Sequence, residues 1–145
     1  MSRPLRIEAV KTVTPKVEAA VQGLMPQLRR GAEAPGAQAL SAVLADPAIT
    51  LLAACDGETI VGLAVVAVYR RLSGVSAHLH DVVVDGSARG RGGGGALVEA
   101  AIEVARRSGA YSLELTSAPW REAANRLYTR LGFQRRDTNV YRLKL

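Results

Sequence analysis

A run of glycines between two arginines is the part of the sequence best suited to holding a phosphate. It reads Arg89-Gly90-Arg91-Gly92-Gly93-Gly94-Gly95 and leads into an apolar stretch with a helical pattern. Glycine inside a helix costs up to about 1 kcal/mol relative to alanine, so four in succession at a helix start need a reason. Without Cβ atoms, the first-turn N–H groups can approach a phosphate closely, and the helix dipole favours its negative charge. Arg89 and Arg91 can add charge-assisted hydrogen bonds, so this segment is a candidate pyrophosphate site.

The glycine run and its surroundings do not fit either of the two common nucleotide-binding loops. Gly90, Gly92 and Gly95 satisfy the G-x-G-x-x-G pattern of dinucleotide-binding folds, and Glu114 falls near the distance expected of a ribose-binding acid. However, Asp85–Arg89 separate the glycines from the preceding strand, and too little chain follows for a large parallel sheet. The ATP-type loop is excluded because no Gly-Lys-Ser/Thr is present. A flexible turn, or tight packing of the helix on the sheet, is the alternative that needs no ligand.

Charge and composition favour an anionic small molecule over nucleic acid. The chain of 145 residues has a formal net charge of +6, which favours anionic partners, but only 4% aromatic residues to stack on bases. The apolar share of 48% is enough for one core, so we predict a single domain over residues 1–145. Cys55 is the only cysteine and lies in an apolar stretch, which predicts a buried core residue and fits a reduced, cytoplasmic setting. No apolar run approaches the roughly 20 residues that span a bilayer.

The elements that must position the glycine run alternate between strands and helices. Apolar periodicity and turn residues predict one mixed α/β domain. Thr14-Pro15 predicts a helix start, with Pro at the first helical position. Asp56-Gly57 and Ser73-Gly74 predict two hairpin turns. The predicted strands are Leu5–Val13, Ile49–Cys55, Thr59–Tyr69, Val75–Val84, Tyr111–Thr116 and Phe133–Leu145, and the predicted helices are Lys16–Arg30, Ala37–Leu44, Gly92–Ser108 and Pro119–Leu131.

Two motifs resemble those of the GCN5-related N-acetyltransferase (GNAT) superfamily. Its central motif, Arg/Gln-x-x-Gly-x-Gly/Ala after a strand ending in Val, is matched by Arg89–Gly94 after Val82-Val83-Val84. A helix ending Leu-Tyr-x-x-x-Gly-Phe is matched by Leu127–Phe133. The resemblance covers nearly the whole chain and implies a GNAT fold. That fold has a largely antiparallel mixed sheet of about six to seven strands, flanked by about four helices and splayed between the strands at Val82 and Tyr111.

The same resemblance implies an acetyl-CoA-dependent N-acetyltransferase with acetyl-CoA as co-substrate. The pantetheine arm would pair with the backbone of the strand, and the pyrophosphate would lie on the amides of the glycine run. The residues assigned to this cofactor site are Val82, Val83, Val84, Arg89, Gly90, Arg91, Gly92, Gly93, Gly94, Gly95, Asn125 and Tyr128.

Tyr128 is the general acid that the resemblance implies, because this tyrosine can protonate the departing thiolate in many family members. A tyrosine that only packs against the sheet is the alternative. Asn125, one turn earlier, is a candidate cofactor ligand or a surface asparagine. Many relatives carry Asn where this chain has Arg121, which could still reach a cofactor phosphate or carbonyl.

A general base is useful because the attacking amine must be neutral, and a lysine ammonium has a pKa near ~10.4. Asp81 is the first candidate, since relatives often use an acid on this strand, and His80 is the second. Alternation places His78, His80, Val82 and Val84 on one face of the strand, and Leu79, Asp81 and Val83 on the other. No spacing indicates a metal site.

The acceptor is left open between a small-molecule amine and a protein amine. Its specificity should come from about Gly23–Pro47 and the Tyr69–Ser76 hairpin, whose Arg29, Arg30, Arg70 and Arg71 favour an acidic acceptor or are solvated surface. A homodimer is compatible with the family. Nucleic acid is not expected as the main partner, nor is a membrane. A non-catalytic acyl-CoA sensor and a nicotinamide-dinucleotide-binding domain are the alternative functions.

Overall fold

The computed structural model of the chain describes residues 3–29 and 33–145. It contains two compact units, one up to Leu115 and one formed by Thr116–Leu145. Among the described residues, the first unit holds a five-stranded sheet and three α-helices, and the second holds one α-helix. The single domain over residues 1–145 stays a prediction.

The described elements follow the predicted order as far as the last helix. They are β1 (Arg6–Val10), α1 (Pro15–Leu28), α2 (Ala37–Ala45), β2 (Ile49–Asp56), β3 (Thr59–Arg71), β4 (Gly74–Val84), a 3₁₀ turn (Gly86–Ala88), α3 (Gly93–Arg107), β5 (Leu113–Glu114) and α4 (Glu122–Arg130). Arg30, where the sequence predicted α1 to end, lies outside the described residues.

Local chemistry explains where α1 begins and where the hairpins turn. The hydroxyl of Thr14 accepts a hydrogen bond from the Val17 amide at 3.2 Å, and Pro15 occupies the first helical position. Both predicted hairpins are confirmed, since Asp56 pairs with Thr59 and Arg71 pairs with Gly74 across two-residue loops.

The sheet has the order β1-β2-β3-β4-β5, with β5 parallel to β4 and the other neighbours antiparallel. One face packs on α1 and α2 through a cluster of buried side chains that includes Val21, Leu40, Cys55, Leu63 and Val83. The opposite face carries α3, since a methyl group at Gly62, next to Leu63 in β3, would lie 3.2 Å from Leu97 Cδ1.

Cys55 is fully buried, which confirms its prediction as a core residue. Burial raises the pKa of its thiol, and the neighbouring Glu8 carboxylate raises it further. The thiol therefore stays protonated at neutral pH.

The prediction of a strand at Phe133–Leu145 is wrong. Residues 133–145 contain no strand, and 134–145 are all exposed. The sheet consequently has five strands where six to seven were predicted, and β5 is limited to Leu113–Glu114 within the predicted Tyr111–Thr116. The physical reason is that alternation of apolar and polar residues is compatible with a strand, but a strand forms only where a neighbouring strand provides hydrogen bonds.

Candidate functional site

The glycine run connects β4 to α3 through a backbone that only glycine adopts easily. Gly90 and Gly92 have φ of 82° and 77°. No atom lies within 4 Å of where a Cβ would stand at either position, so these two glycines serve conformation and face open space. At Gly93 a Cβ would lie 3.0 Å from Leu5 Cδ1 and 3.6 Å from both Val84 γ-carbons, so this glycine serves close packing.

The N-terminus of α3 has no side-chain cap. Its N-cap residue is Gly92, whereas α1 is capped by the hydroxyl of Thr14. The N–H groups of Gly93, Gly94 and Gly95 have no carbonyl partner within the helix, because the first turn of any helix lacks them. Together with the helix dipole, these donors can bind an anion.

The entry to this glycine run is fixed by a carboxylate. Asp85 Oδ2 accepts hydrogen bonds from the Ser87 amide at 3.0 Å and from the Ser87 hydroxyl, which closes the 3₁₀ turn. Asp85 Oδ1 accepts from Gln27 Nε2 at 2.7 Å. The Gln27 hydrogen bond, followed by those of Ser87, lowers the pKa of Asp85 below its usual 3.8.

The two arginines of the motif have different surroundings. Arg89 is exposed, and its positive charge contributes to the lowered pKa of Asp85. Arg91 is mostly buried and donates to Asp56 Oδ2 at 2.8 Å and to the Arg3 carbonyl at 2.5 Å. Both arginines were predicted to bind the cofactor. The guanidinium of Arg91 is hydrogen-bonded to Asp56 at the β2–β3 turn, whereas Arg89 is exposed to solvent.

A β-bulge lies in β4 where the candidate bases are. Val65 pairs with His80 but Leu63 pairs with Val83, so Asp81 and Val82 together oppose Ala64. Asp81 has φ of 55°, a left-handed conformation that Asp tolerates better than most residues. His80 and Asp81 are both exposed.

The bulge makes the predicted alternation wrong. Partners across an antiparallel ladder share a face, so His80 lies with Val65, and Val83 lies with Leu63. Both β3 residues pack with α1 and α2, which places His80 and Val83 on the same face of the sheet. The sequence rule failed because one extra residue shifts every later side chain to the other face.

A row of rings extends from the bulge along this face. His78 and His80 stack with centroids 5.5 Å apart, and the Tyr69 hydroxyl lies 3.0 Å from His78 Nδ1. Tyr69 bounds the hairpin that the sequence analysis assigned to acceptor specificity, whereas His78 was assigned no role. The signal was available, because the two-residue turn at Leu72-Ser73 sets His78 opposite Ala67, two positions from Tyr69.

The outer edge of β4 is only partly occupied. Ala77 and His78 pair with β5, and no strand among the described residues pairs with this edge from Leu79 to Val84. The predicted cofactor strand, Val82-Val83-Val84, falls in that stretch. Val83 is buried in the core, while the flanking valines are partly exposed.

Tyr128 and Asn125 belong to the second unit. Tyr128 is buried, with 8% of its surface exposed, and meets Phe133 edge to face at 5.8 Å. Burial raises the pKa of Tyr128 above its usual 10.0, and the nearby Arg121 guanidinium lowers it in part. Asn125 Nδ2 donates to the Ala118 carbonyl at 3.0 Å, so its amide supports the entry to α4.

The described residues contain no group of three or more His, Cys, Asp or Glu side chains arranged to hold a metal ion. Within the same part of the chain, every helix is too short or too polar to cross a membrane.

Comparison with known proteins identifies the family. The sequence model of the Acetyltransferase (GNAT) family matches residues 18–133, so the chain belongs to this family. A curated relative, an uncharacterised N-acetyltransferase of Methanocaldococcus jannaschii, is 39% identical over 61 residues. The match covers 42% of this chain and 27% of that protein, so the chain spans about a quarter of its relative's length.

Solved structures extend the likeness to the whole chain. A putative acetyltransferase from Agrobacterium tumefaciens has a TM-score of 0.85 at 23% identity, covering 96% of this chain and 99% of its own. A transcriptional regulator from Bacillus halodurans has a TM-score of 0.80 at 28% identity, covering 97% and 99%. The chain therefore has a GNAT-like α/β fold.

Proposed function

We propose that this protein is an acetyl-CoA-dependent N-acetyltransferase that acetylates a primary amine by direct attack in a ternary complex. One observation carries the proposal: an uncapped helix N-terminus follows a strand whose outer edge, from Leu79 to Val84, has no partner strand among the described residues, and two left-handed glycines connect them. The membership of the chain in the GNAT family supports it independently.

In this proposal the pyrophosphate accepts hydrogen bonds from the first-turn amides of α3, with Arg89 adding charge. The pantetheine amides pair with the backbone at Val82 and Val84, where the outer edge of β4, opposite to β3, has no partner strand in the described sheet. We further propose that the strands at Val82 and Tyr111 splay apart and that the acetyl-thioester enters between them.

The reaction needs two proton transfers. The amine nitrogen attacks the thioester carbonyl carbon and the C–S bond breaks, so the amine loses a proton and the thiolate gains one. Asp81, or His80 in second place, accepts the amine proton directly or through water. Tyr128 donates the proton to sulfur, and its raised pKa keeps the phenol protonated at neutral pH.

The acceptor is a small-molecule or protein amine. Tyr69, His78 and His80 lie on the sheet face that carries α1 and α2, and we assign this face to the acceptor. The single, buried Cys55 fits a reduced, cytoplasmic setting. A homodimer is compatible with the proposed N-acetyltransferase.

Calorimetric titration with acetyl-CoA, with NADH in parallel, tests the proposal. We expect saturable binding of acetyl-CoA that weakens roughly ten- to hundredfold in Arg89→Ala, since a charge-assisted hydrogen bond contributes about 1.5–3 kcal/mol. Thiol release in a screen of amines would then demonstrate transfer. Absence of binding of acetyl-CoA and other acyl-CoAs to the folded protein would refute the proposal. Binding of NADH would favour a dinucleotide-binding domain.

A non-catalytic acyl-CoA sensor is the second candidate, because one structural neighbour is described as a transcriptional regulator. It predicts the same binding of acetyl-CoA without thiol release in the presence of any amine. Retention of binding with no turnover across small amines and peptide amines would favour this second function.

A further inference from the structure

We propose that Gln27 is a positioning residue that couples the C-terminal end of α1 to the glycine run. The side-chain amide of Gln27 contacts the segment just before that run with both of its polar atoms. Its Nε2 donates to Asp85 Oδ1 at 2.7 Å, and its Oε1 accepts from the Gly86 amide at 3.0 Å. This inference rests on the proposed acetyl-CoA site.

The contact with Asp85 reaches further than one hydrogen bond. The same carboxylate caps the 3₁₀ turn through the Ser87 amide, and that turn leads directly to Arg89. Ala88, at the end of the turn, is 2% exposed and anchors it in the core. A shift of the Gln27 side chain therefore changes the position from which the glycine run starts.

The end of α1 is held weakly by the helix itself. Pro26 has no N–H, so the main-chain hydrogen bond to the Gln22 carbonyl is missing in the last turn. Gln27 Nε2 also donates to the Gly23 carbonyl at 3.1 Å, which ties the side chain to its own helix. Gln27 thus connects a weakened helix end to the β4–α3 connection.

This connection joins two parts of the proposed active site. The segment from Gly23 to Pro47 is where we expect the acceptor to bind, and the glycine run is where we expect the pyrophosphate. If the acceptor moves the end of α1, its binding changes the affinity for acetyl-CoA, and acetyl-CoA changes acceptor affinity by the same factor.

Two variants and a control test this role. Gln27→Ala should bind acetyl-CoA about three- to tenfold more weakly, because it removes a hydrogen bond to a carboxylate and one to a backbone amide. Amide hydrogen exchange over residues 86–95 should also become faster in the ligand-free protein. Gln22→Ala is the matched control, since Gln22 lies on the same helix and its amide contacts the Pro35 carbonyl at 3.5 Å instead.

The double variant Gln27→Glu with Asp85→Asn provides a rescue. It reverses the direction of the side-chain hydrogen bond, keeps the net charge, and leaves an acceptor for the Gly86 amide and another for the Ser87 amide, and it gives up only the hydrogen bond from side chain 27 to the Gly23 carbonyl. We expect it to restore most of the affinity and the slow exchange, which a loss of general stability in Gln27→Ala would not allow.

The outcomes separate this inference from the proposed function. Unchanged affinity and exchange in Gln27→Ala, measured against a wild-type protein that binds acetyl-CoA, would overturn the coupling alone. Failure of the double variant to recover, or an equal effect in Gln22→Ala, would also overturn it. Failure of the wild-type protein to bind acetyl-CoA would instead refute the proposed function.

Discussion

Arg91 Nη1 lies 2.8 Å from Asp56 Oδ2, so a side chain of the glycine run is bound to the β2–β3 turn, 35 positions earlier in the chain. The same guanidinium donates to the Arg3 carbonyl. These contacts fix one side of the glycine run, while Gln27 and Asp85 fix its entry. The glycine run is therefore held at two points. The hydrogen bond of Arg91 to Asp56 fixes its middle, and the hydrogen bond of Gln27 to Asp85 fixes the segment just before it.

The two arginines of the motif should differ when each is replaced by alanine. We expect Arg91→Ala to lower the melting temperature by a few degrees and to weaken acetyl-CoA binding, because the run loses an anchor. Arg89→Ala should weaken binding with little change in melting temperature, since Arg89 is exposed. Asp56→Ala should reproduce the Arg91→Ala effect on both measurements. Equal melting temperatures for the Arg89 and Arg91 variants would contradict this distinction.

Stability should fall in acid because of the two carboxylates that hold the glycine run. Arg91 lowers the pKa of Asp56, and Gln27 and Ser87 lower that of Asp85, both from the usual 3.8. A group whose pKa is lower in the folded state stabilises the fold above its unfolded pKa, and this contribution is lost as pH falls through the folded value.

Urea unfolding measured from pH 7 down to about pH 2 checks this expectation. Asp56→Asn should flatten the part of the acid-induced loss that comes from the Arg91 pair, and high salt should reduce that part because both side chains contact solvent. Acid sensitivity that is unchanged in both Asp56→Asn and Asp85→Asn would rule out these carboxylates as its source.

Tyr128 should act through its hydroxyl and not through its ring. Tyr128→Phe keeps the edge-to-face contact with Phe133, so we expect normal acetyl-CoA binding and a fall in kcat of about 100-fold. Steady-state kinetics with calorimetry on the same preparation separate the two effects. Full activity in the phenylalanine variant would remove Tyr128 from the mechanism.

The protonation of Tyr128 can be followed directly. Burial raises the pKa of Tyr128 above its usual 10.0, so the tyrosinate absorbance that Tyr128→Phe removes from the titration curve should be a part that appears above pH 10.0. Arg121 opposes this shift, and Arg121→Ala should therefore raise the pKa of Tyr128 further. Ionisation of Tyr128 below pH 10.0 would contradict the assigned environment.

The sequence predicted local features well where a short segment determines them. Thr14-Pro15 begins α1, and the two hairpin turns, at Gly57-Glu58 and Leu72-Ser73, each fall within one residue of the predicted Asp56-Gly57 and Ser73-Gly74. Each of these features depends on the φ preference or hydrogen-bonding capacity of one or two residues.

Features that depend on distant contacts were not predictable in the same way. The bulge at Asp81 results from pairing between β3 and β4. The bulged residues include no glycine, the residue type that often marks a bulge in a sequence. Arg91 was assigned to the cofactor from its place in the motif, and its partner Asp56 lies at the end of β2, a contact that the motif alone does not reveal. The absence of a strand at Phe133–Leu145 likewise depends on whether a neighbour is available, which alternation within the segment does not reveal.

The bulge allows the two candidate bases to be tested without disturbing the backbone. Asn tolerates the left-handed conformation at least as well as Asp, so Asp81→Asn removes the carboxylate while keeping φ near 55°. We expect this variant to lose about 100-fold in kcat/KM with unchanged acetyl-CoA affinity, as loss of a general base does. His80→Gln should stay within a few-fold of wild type when Asp81 is the base, and it tests the second candidate on the same strand. The reverse order of losses would assign the base to His80, whose ring stacks on His78. Similar small losses in both variants would instead indicate that water accepts the proton without either side chain.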